Sequence, residues 1–565
     1  MSKKLINNPK NVVREMLEGV VDSTEGLALL AHANVVLQAD LPEPDQRPVA
    51  IISGGGSGHE PAHAGYVGKG MLSAAVAGDV FTSPSTDAVL HAIRACAGPA
   101  GAVLIVKNYT GDRLNFGLAA ELAQTEGIPV EIVVVADDVS LHQTVSEDRR
   151  RGIAGTVLIH KIAGAAAAAG KSLAEITDIA RKAAGDLGSM GVALGACTLP
   201  GAKEAGFTLD KDEIELGLGI HGEKGVERRK IASADDLCET ILKTIIEDRK
   251  IAKSDRVALL VNGLGATSAL ELAIMARGAI AYLRKNGITV ERVWNGTLLS
   301  ALDMPGCSLS LLKLDDERAA LLDAPTSASA WPRQGRISQK RQEIADPKGS
   351  SDDITYPDAG PLAQQIETIA HAVAKKLKAE EPHLTDLDTK AGDGDLGASL
   401  ERGADAILAL PNKAWATPAT ALIATGNALR KAIAGSSGPF YANALIRAGR
   451  HLQDEAEPTA AQWADAFETG AKAIAELGGA KEGDRTMLDA LLPAAKAFND
   501  ATKAGKPAKE AWQAACDAAR KGADSTADMT PELGRASYLG DRAVGVPDGG
   551  AVAVAIWMQE IADNL

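Results

Sequence analysis

The chain of 565 residues is poor in aromatic residues and in cysteine. Phe, Trp and Tyr together make up 3% of it, so its cores must be built from small aliphatic side chains, which suit close-packed helices and buried parallel strands. The cysteines are scattered without a C-x-x-C pair, which argues against a disulfide framework and against a zinc site. They are Cys96, Cys197, Cys238, Cys307 and Cys516.

Three further features are missing, and each limits where the protein works. No uncharged apolar run is long enough for a membrane span, and the first residues, MSKKLINNPKNVVREML, lack the apolar core of a signal peptide. Positive charge is not in excess, and a net charge of −15 argues against non-specific binding to nucleic acid. We therefore expect a soluble, cytoplasmic protein with neither a membrane nor a nucleic acid as partner.

One segment is typical of a linker between domains. Residues 324–361, APTSASAWPRQGRISQKRQEIADPKGSSDDITYPDAGP, are rich in Pro, Ser, Gly and charge and show no sustained period, which indicates an extended, mobile connection. We predict two α/β domains before it, over 1–187 and 188–323, and an all-α domain after it, over 362–565.

The pattern of apolar residues supports this division. Before the linker, β-branched runs alternate with Ala-rich helical stretches, which indicates mixed or parallel sheets covered by helices. The runs are VAIIS (49–53), AVLIVKN (102–108), VEIVVVAD (130–137), LGLGIHG (216–222), VALLVNG (257–263) and TVERVWNG (289–296). After the linker, apolar residues recur at helical spacing, for example in 362–377, 460–477 and 507–524.

A cluster of carboxylates stands in a glycine-punctuated loop of the helical region. Asp388, Asp393 and Asp395 lie within 386–397, which reads DLDTKAGDGDLG. Such carboxylates repel one another unless a cation lies between them, and Mg²⁺ commonly takes carboxylate and phosphate oxygens. The cluster therefore indicates a metal–nucleotide site. A solvated acidic turn is the alternative for the loop taken alone, and an EF-hand fits poorly because the regular alternation and the closing Glu are missing.

Three other loops between predicted helices favour nucleotide binding. They are AGSSGP (434–439), GGAKEGDRTMLD (478–489) and GRASYLG (534–540), the last followed by VPDGGA (546–551). Small residues let backbone N–H groups approach an anion, and a following helix N-terminus adds a favourable dipole. Each loop alone is compatible with an ordinary turn, whereas all four together indicate a nucleotide site.

The first polar motif of the N-terminal unit is GGGSGHEP (54–61), which follows the first strand as a glycine-rich turn. It lacks the Lys-Ser/Thr pair of a P-loop, and Pro61 interrupts the helix that a dinucleotide fingerprint requires. A cradle for a small polar molecule, with His59 at its tip, fits better. A plain loop histidine is the alternative.

Two more motifs place polar side chains at the ends of apolar strands. In KNYTGD (107–112), Lys107 can donate to substrate oxygens and Asp112 can accept a hydroxyl proton. In GIHGE (219–223), His221 is flanked by small residues and can be presented to a cleft. Each motif alone is also compatible with an ordinary strand-end turn.

Taken together, these motifs resemble those of the dihydroxyacetone kinases. GGGSGHEP, KNYTGD and GIHGE resemble the substrate-binding unit over about 1–330, and GDGDLG, GSSGP, GDRTMLD and GRASYLG resemble the nucleotide-binding unit over about 360–565. The resemblance implies a single-chain kinase that transfers the ATP γ-phosphate to a terminal hydroxyl of dihydroxyacetone, with Mg²⁺ or Mn²⁺. It also implies a barrel of antiparallel helices for the second unit, and a homodimer.

The resemblance assigns roles in substrate capture. In that family, the histidine of GIHGE attacks the ketone carbon and holds the substrate as a covalent hemiaminal. Carried onto this chain, His221 is the covalent anchor, Asp112 is the base at the phosphorylated hydroxyl, and His59 assists by hydrogen bonding or proton transfer. The residues that would position the substrate are Gly56, Ser57 and Lys107, together with His59 and Asp112.

The resemblance also assigns the nucleotide site. It makes Asp388, Asp393 and Asp395 the metal ligands. It places the following residues at the nucleotide: Leu396, Gly397, Ser436, Ser437, Gly478, Met487, Arg535, Asp548, Gly549 and Gly550. Two positions depart from the family pattern, because Leu396 stands where some members have His or Cys, and Gly549 where some have Pro.

The residue types account for the implied selectivity, and three alternatives stay open. A neutral imidazole can add to a carbonyl but not to an alcohol, so dihydroxyacetone is captured and glycerol is not. Covalent capture can therefore discriminate between the two by more than the ~1–3 kcal/mol that differences in shape supply. The alternatives are a phosphotransferase that uses a phosphocarrier protein, a side activity that splits FAD to a cyclic flavin phosphate and AMP, and a dihydroxyacetone sensor without turnover. Fusion of both units in one chain favours ATP as the donor.

Overall fold

The computed structural model describes residues 3–332, 335–345, 356–533, 537, 540 and 542–565. These residues form two compact units, Met1–Ile344 and Ala345–Leu565. The division falls within 324–361, but the first residues of that segment are packed. Ala328 is buried, and the ring of Trp331 lies 4.9 Å from the ring of Trp294.

The first sheet of the N-terminal unit has six strands in the order β1-β2-β4-β3-β5-β6. Four strands, β4, β3, β5 and β6, run parallel, whereas β1 and β2 are joined by antiparallel pairing. The strands are β1 (Leu27–Leu29), β2 (Val35–Gln38), β3 (Ala50–Ser57), β4 (Ala74–Val80), β5 (Ala102–Lys107) and β6 (Val130–Val135). The helices of this part are α1 (Val12–Asp22), α2 (Thr86–Cys96), α3 (Thr110–Thr125), α4 (Thr156–Ala168) and α5 (Leu173–Gly185).

The second sheet has the order β11-β10-β12-β7-β8-β9, in which only the β10–β11 pair is parallel. Its strands are β7 (Leu187–Ala193), β8 (Glu213–Leu216), β9 (Glu227–Lys230), β10 (Arg256–Gly263), β11 (Thr289–Gly296) and β12 (Gly306–Lys313). The helices are α6 (Ala234–Asp248), α7 (Ala269–Lys285) and α8 (Asp316–Asp323). The prediction of α/β architecture with mixed sheets is confirmed.

Two details of the predicted strands are wrong. The run 216–222 is not a strand, because β8 ends at Leu216 and the following Gly217 has a φ of +67°, which an extended strand does not accommodate. The glycines 54–56 are not a turn after a strand but the end of β3 itself, which pairs with β4 through Ser57. Glycine is needed there because a methyl group at Gly54 would lie 2.2 Å from the carbonyl oxygen of Val76.

The C-terminal unit is all-α, as predicted, and its helices form a closed ring. Neighbours along the chain pack against one another, and the last helix packs against the first, α9. Within the described residues the helices are α9 (Ala363–Ala379), α10 (Glu381–Ala391), α11 (Leu396–Leu408), α12 (Pro418–Ala432), α13 (Ser437–His451), α14 (Ala460–Gly478), α15 (Leu488–Lys503), α16 (Ala508–Ser525) and α17 (Gly549–Asp563). Across the described ranges, each helix is too short or too polar to cross a lipid bilayer.

One buried amide fixes the loop that follows β11. The side chain of Asn262, on β10, is fully buried. Its Oδ1 accepts hydrogen bonds from the backbone nitrogens of Leu298 and Leu299 at 2.9 and 2.8 Å, and its Nδ2 donates to the Leu299 carbonyl at 2.8 Å. Because backbone groups buried without a partner cost free energy, this side chain holds residues 298–299 in place.

We therefore predict that Asn262→Ala lowers the free energy of unfolding by about 2–3 kcal/mol, because it leaves buried backbone donors unpaired. Asn286→Ala is the matched control, since Asn286 is exposed at the end of α7 and its Nδ2 makes one bond, to the Tyr282 carbonyl at 2.9 Å. Urea unfolding of the full chain measures both variants. An Asn262→Ala midpoint equal to that of the control would contradict this account of the loop.

Candidate active site

Two predicted histidines meet although they are far apart in the sequence. His59 follows β3, and His221 lies in the glycine-rich loop after β8. Their Nε2 atoms are 3.0 Å apart. His59 is fully buried, whereas the His221 side chain is 20% exposed and so can be reached from solvent. The structure thus brings the chain after β3, in the first sheet, next to the chain after β8, in the second sheet, at a partly exposed imidazole.

The outer nitrogens of this pair both face oxygen acceptors. His59 Nδ1 donates to the carbonyl of Ser300 at 2.8 Å, and His221 Nδ1 donates to Glu223 Oε1 at 2.9 Å. Both Nδ1 atoms therefore act as donors, and a hydrogen bond between the two Nε2 atoms requires one further proton. With that proton the pair carries one positive charge, which the Glu223 carboxylate can balance.

The environment decides which ring carries the extra proton. Burial, together with the charges of Lys107 and His221, holds the pKa of His59 well below its usual value. Although burial opposes it, the hydrogen bonds from His221 lower the pKa of Glu223 to about 2. A proton shared between the two Nε2 atoms is consequently disfavoured on His59.

Aromatic side chains fix the orientation of these rings. Phe81 stacks on His59 with centroids 5.2 Å apart and meets the His221 ring edge-on at 5.1 Å. Tyr109 meets His221 edge-on from another side at 4.7 Å. Phe81 is held in a left-handed conformation, φ +57°, which bulky residues rarely adopt. Enclosed in this way, the His221 ring has little freedom to turn.

Lys107 and Asp112 form the second polar group of the site. Lys107 ends β5, and Asp112 lies in the first turn of α3. Both are buried, and among the described residues Lys107 Nζ and Asp112 Oδ1 have no hydrogen-bond partner. A methyl group at Gly55 would lie 3.1 Å from Lys107 Nζ and 3.6 Å from Asp112 Oδ2, so both approach the glycine strand.

These unpartnered groups are unusual, because burial of a polar group without a partner is costly. Burial lowers the pKa of Lys107, although the carboxylates of Asp112 and Glu223 oppose that change. A cation and a carboxylate with free bonding capacity, both facing one strand end, are suited to a small polyhydroxylated ligand that would donate and accept at once.

The other predicted substrate contacts, Gly56 and Ser57, lie at the end of β3. A methyl group at Gly56 would lie 2.6 Å from the backbone nitrogen of Thr82, so only glycine fits beside that loop. The Ser57 hydroxyl is buried and donates to the Gly78 carbonyl at 2.8 Å. Its proton is therefore committed to the protein.

The three aspartates of the C-terminal unit also come together. Carboxylate oxygens of Asp388, Asp393 and Asp395 all lie within 4.8 Å of one another. Asp388 Oδ2 accepts from the backbone nitrogens of Asp395 and Leu396 at 2.9 and 3.1 Å. A methyl group at Gly392 would lie 2.1 Å from Asp388 Oδ1, so the loop can close over this carboxylate only with glycine. Three convergent carboxylates suit a hard divalent cation.

The start of α17 lies beside the aspartate loop. Methyl groups added at Gly549 and Gly550 would lie 2.7 Å from Leu396 and 3.6 Å from Met487, respectively. Asp548 caps α17 by accepting from the Ala551 nitrogen at 2.8 Å, and burial raises the pKa of Asp548 to about 6. The structure thus brings five of the predicted nucleotide residues to one end of the helical ring.

Gly397, Ser436, Ser437 and Gly478 lie at or next to helix ends. Ser436 is exposed before α13, and Ser437 begins that helix. Gly478 ends α14, where a methyl group would lie 3.0 Å from the ring of Phe440. At Gly397 a methyl group would lie 2.2 Å from Thr385 Oγ1, so the contact between α10 and α11 already requires this glycine. Arg535 lies outside the described residues.

Sequence reasoning missed several residues of both sites. At the histidine pair these are Glu223, Phe81, Tyr109 and the Ser300 carbonyl; Glu223 and Tyr109 stand inside motifs already singled out, but Ser300 is 241 positions from its partner. In the C-terminal unit, buried Arg485 was missed although it lies in GDRTMLD. It donates to the carbonyls of Thr526, Ala543 and Val546, so it ties this loop to the segment before α17.

Comparison with known proteins accounts for both units. Residues 18–330 match the Dak1 domain and residues 390–563 match the DAK2 domain. The bovine (Bos taurus) protein named triokinase/FMN cyclase is 42% identical over 100% of this chain and 99% of its own. The D-erythrulose kinase of Mycolicibacterium smegmatis is 35% identical over 99% of this chain and 98% of its own.

A solved structure is similar over the same extent. The crystal structure of the dihydroxyacetone kinase from C. freundii in complex with AMP-PNP and Mg²⁺ covers 100% of both chains, with 35% sequence identity and a TM-score of 0.67. Both domain matches occur in this chain in the order that the motifs predicted, and the similarity of sequence extends from end to end. The chain therefore belongs to the dihydroxyacetone kinase family.

Proposed function

We propose that this kinase phosphorylates a terminal hydroxyl of dihydroxyacetone, with ATP as the donor, after holding the ketone as a hemiaminal on His221. The observation that carries the proposal is the chain of hydrogen bonds from Ser300 through His59 and His221 to Glu223. It presents one partly exposed imidazole next to a buried histidine that can accept its proton. Relatives named for dihydroxyacetone and D-erythrulose support a short hydroxyketone as the substrate class.

Capture begins with the proton between the two rings. When that proton moves from His221 Nε2 to His59 Nε2, the lone pair of His221 is free to attack the ketone carbon. The C=O π bond breaks, and its oxygen takes the proton back from His59 to become the hemiaminal hydroxyl. Because burial disfavours the protonated form of His59 and lowers its pKa, transfer of that proton from His59 to the oxygen is favourable. An alcohol has no such carbon, so glycerol is not captured.

Phosphoryl transfer uses the second polar group. With the ketone carbon anchored, Asp112 accepts the proton of the terminal hydroxyl as its oxygen forms a bond to the γ-phosphorus and the bond to the ADP oxygen breaks. Lys107, buried and without a partner among the described residues, would donate to a substrate oxygen. Gly56, packed against the loop at Thr82, would help to position the substrate at the strand end.

Asp388, Asp393 and Asp395 would hold the divalent cation, Mg²⁺ or Mn²⁺, of the bound nucleotide. Their oxygens converge, and their chemistry suits hard cations that also take phosphate oxygens. When bound, such a cation supplies charge neutralisation for the phosphates. The nucleotide itself would contact Leu396, Gly397, Ser436, Ser437, Gly478, Met487, Arg535, Asp548, Gly549 and Gly550.

The assembly and location belong to the same proposal. Family resemblance supports a homodimer, and the acidic net charge of −15 is compatible with a cytoplasmic protein. The buried cysteines suit a reducing compartment, because all five are free thiols.

A second candidate activity is the splitting of FAD at the nucleotide site into a cyclic flavin phosphate and AMP. It is supported by the bovine relative, whose name joins triokinase to FMN cyclase. Incubation of the protein with FAD and Mg²⁺, without a ketone, separates this activity from the kinase reaction. AMP and a cyclic flavin phosphate would establish it, whereas unchanged FAD would exclude it.

We predict that His221→Ala lowers kcat/KM for dihydroxyacetone by at least about 100-fold, because the covalent anchor and its effective molarity are lost. Binding of ATP, measured by calorimetry, should not change. The control is His32→Ala, since His32 is exposed and remote in sequence from the motifs. Turnover of His221→Ala at the level of this control would overturn the assignment of the anchor.

Asp112→Asn should slow turnover by roughly 10²–10⁴-fold, because the hydroxyl proton loses its acceptor. The hemiaminal should still form, which a ¹³C spectrum of dihydroxyacetone labelled at its carbonyl carbon detects. Asp87→Asn is the matched control, since Asp87 also lies in the first turn of a helix, α2, but is exposed. Near-normal turnover of Asp112→Asn would show that another group is the base.

For the metal site, Asp388→Asn should raise the Mg²⁺ concentration needed for half-maximal ATP binding by at least about 10-fold, because one anionic oxygen ligand is lost. Calorimetric titration of ATP at several Mg²⁺ concentrations measures this without turnover. Asp386→Asn is the control, since Asp386 is exposed and pairs with Lys390 at 2.6 Å. Equal Mg²⁺ dependence in both variants would remove Asp388 from the ligand set.

A further inference from the structure

A buried ion pair lies behind the histidine pair, and the capture chemistry described above does not use it. Arg151 and Asp138 are 2.7 Å apart at their closest atoms, with side chains only 12% and 3% exposed. Arg151 also donates to the Gly217 carbonyl at 2.7 Å and to the Ser140 hydroxyl at 3.2 Å. The guanidinium is therefore fixed from several directions, which costs free energy that an exposed arginine would not incur.

Gly219 connects this ion pair to the site. A methyl group at Gly219 would lie 2.0 Å from Glu223 Oε2 and 2.6 Å from Arg151 Nη1. The carboxylate and the guanidinium thus flank the same point of the loop that carries His221. Glu223 Oε2 accepts from the His221 backbone nitrogen at 3.0 Å, while Oε1 accepts from the imidazole. Glycine is required at position 219 because both charged groups occupy the space of a side chain.

We infer that Arg151 is a positioning residue for ketone capture: held by Asp138, it keeps the Glu223 carboxylate ionised and aimed at His221 Nδ1, and its positive charge helps the Nε2 proton to leave. This inference rests on the proposed function, because it gives Arg151 a role only if His221 attacks the substrate. Arg151 contacts neither the ketone nor the nucleotide in this account.

The sign of the effect follows from the charges around His221. A cation near the imidazole disfavours its protonated form, and an anion favours it. The charge of Arg151 therefore disfavours a proton on His221 Nε2, and the charge of Asp138 partly offsets that effect. The other titratable groups that face the His221–Glu223 pair are His59, Lys107 and Tyr109.

Two substitutions that remove opposite charges test this inference. In Arg151→Gln, the acidic limb of the pH profile of kcat/KM should move up by roughly one pH unit, as expected for loss of a neighbouring charge. In Asp138→Asn, the limb should move down. A ¹⁵N titration of the histidine rings should show His221 titrating in the same two directions. Loss of packing alone cannot move the limb in opposite directions.

Arg151→Lys serves where Arg151→Gln does not fold, as judged by circular dichroism and thermal unfolding. Arg151→Lys keeps the positive charge but loses the planar guanidinium, so the acidic limb of the pH profile should stay in place while kcat/KM falls. The direction of the shift in Asp138→Asn then tests the sign of the charge effect. Limbs that do not move, or that move the same way in both charge-removing variants, would overturn the inference. If the wild-type protein forms no hemiaminal, the proposed function fails instead, and the two failures are thereby distinguished.

Discussion

The chain of hydrogen bonds from Ser300 through His59 and His221 to Glu223 is the constraint on which the N-terminal unit depends. Acceptors stand at both ends, so a hydrogen bond between the two imidazoles requires a third proton. The shared hydrogen bond connects the buried ring of His59, where a positive charge is disfavoured, to the partly exposed ring of His221 beside the Glu223 carboxylate. It also requires that the end of β3, the loop after β8 and the loop after β11 hold their relative positions, which buried Asn262 and the aromatic contacts of Phe81 and Tyr109 secure.

Much of the fold could be predicted because its signals are local. Apolar runs such as 102–108 and helical periods such as 460–477 report on burial within one element, and both were right. Predictions from the sequence failed where contacts with residues far away in the sequence determine the local structure. Gly54 can pair within a strand because, lacking a side chain, it admits the Val76 carbonyl. Residues 216–222 form a loop in which Gly217 has a positive φ and Gly219 lies against Glu223 and Arg151.

The same contrast holds for the candidate site. Motif residues such as His59, His221 and the three aspartates could be found because several chemically suitable side chains stand together in short loops. The partner carbonyl of Ser300 carries no sequence signal, since any residue has a carbonyl, and Arg151 lies in a run of arginines that resembles a solvated surface. Long-range partners of this kind are chosen by geometry and not by residue type.

Covalent capture of the ketone is tested most directly by ¹³C spectroscopy of the wild-type protein, labelled with ¹⁵N in histidine, mixed with dihydroxyacetone labelled at its carbonyl carbon, without ATP. We predict that the bound carbon is tetrahedral and shows a one-bond coupling to an imidazole nitrogen, which His221→Ala abolishes. A bound carbon that keeps the chemical shift of a carbonyl would contradict the account, because the proton-sharing histidine pair would then have no covalent role.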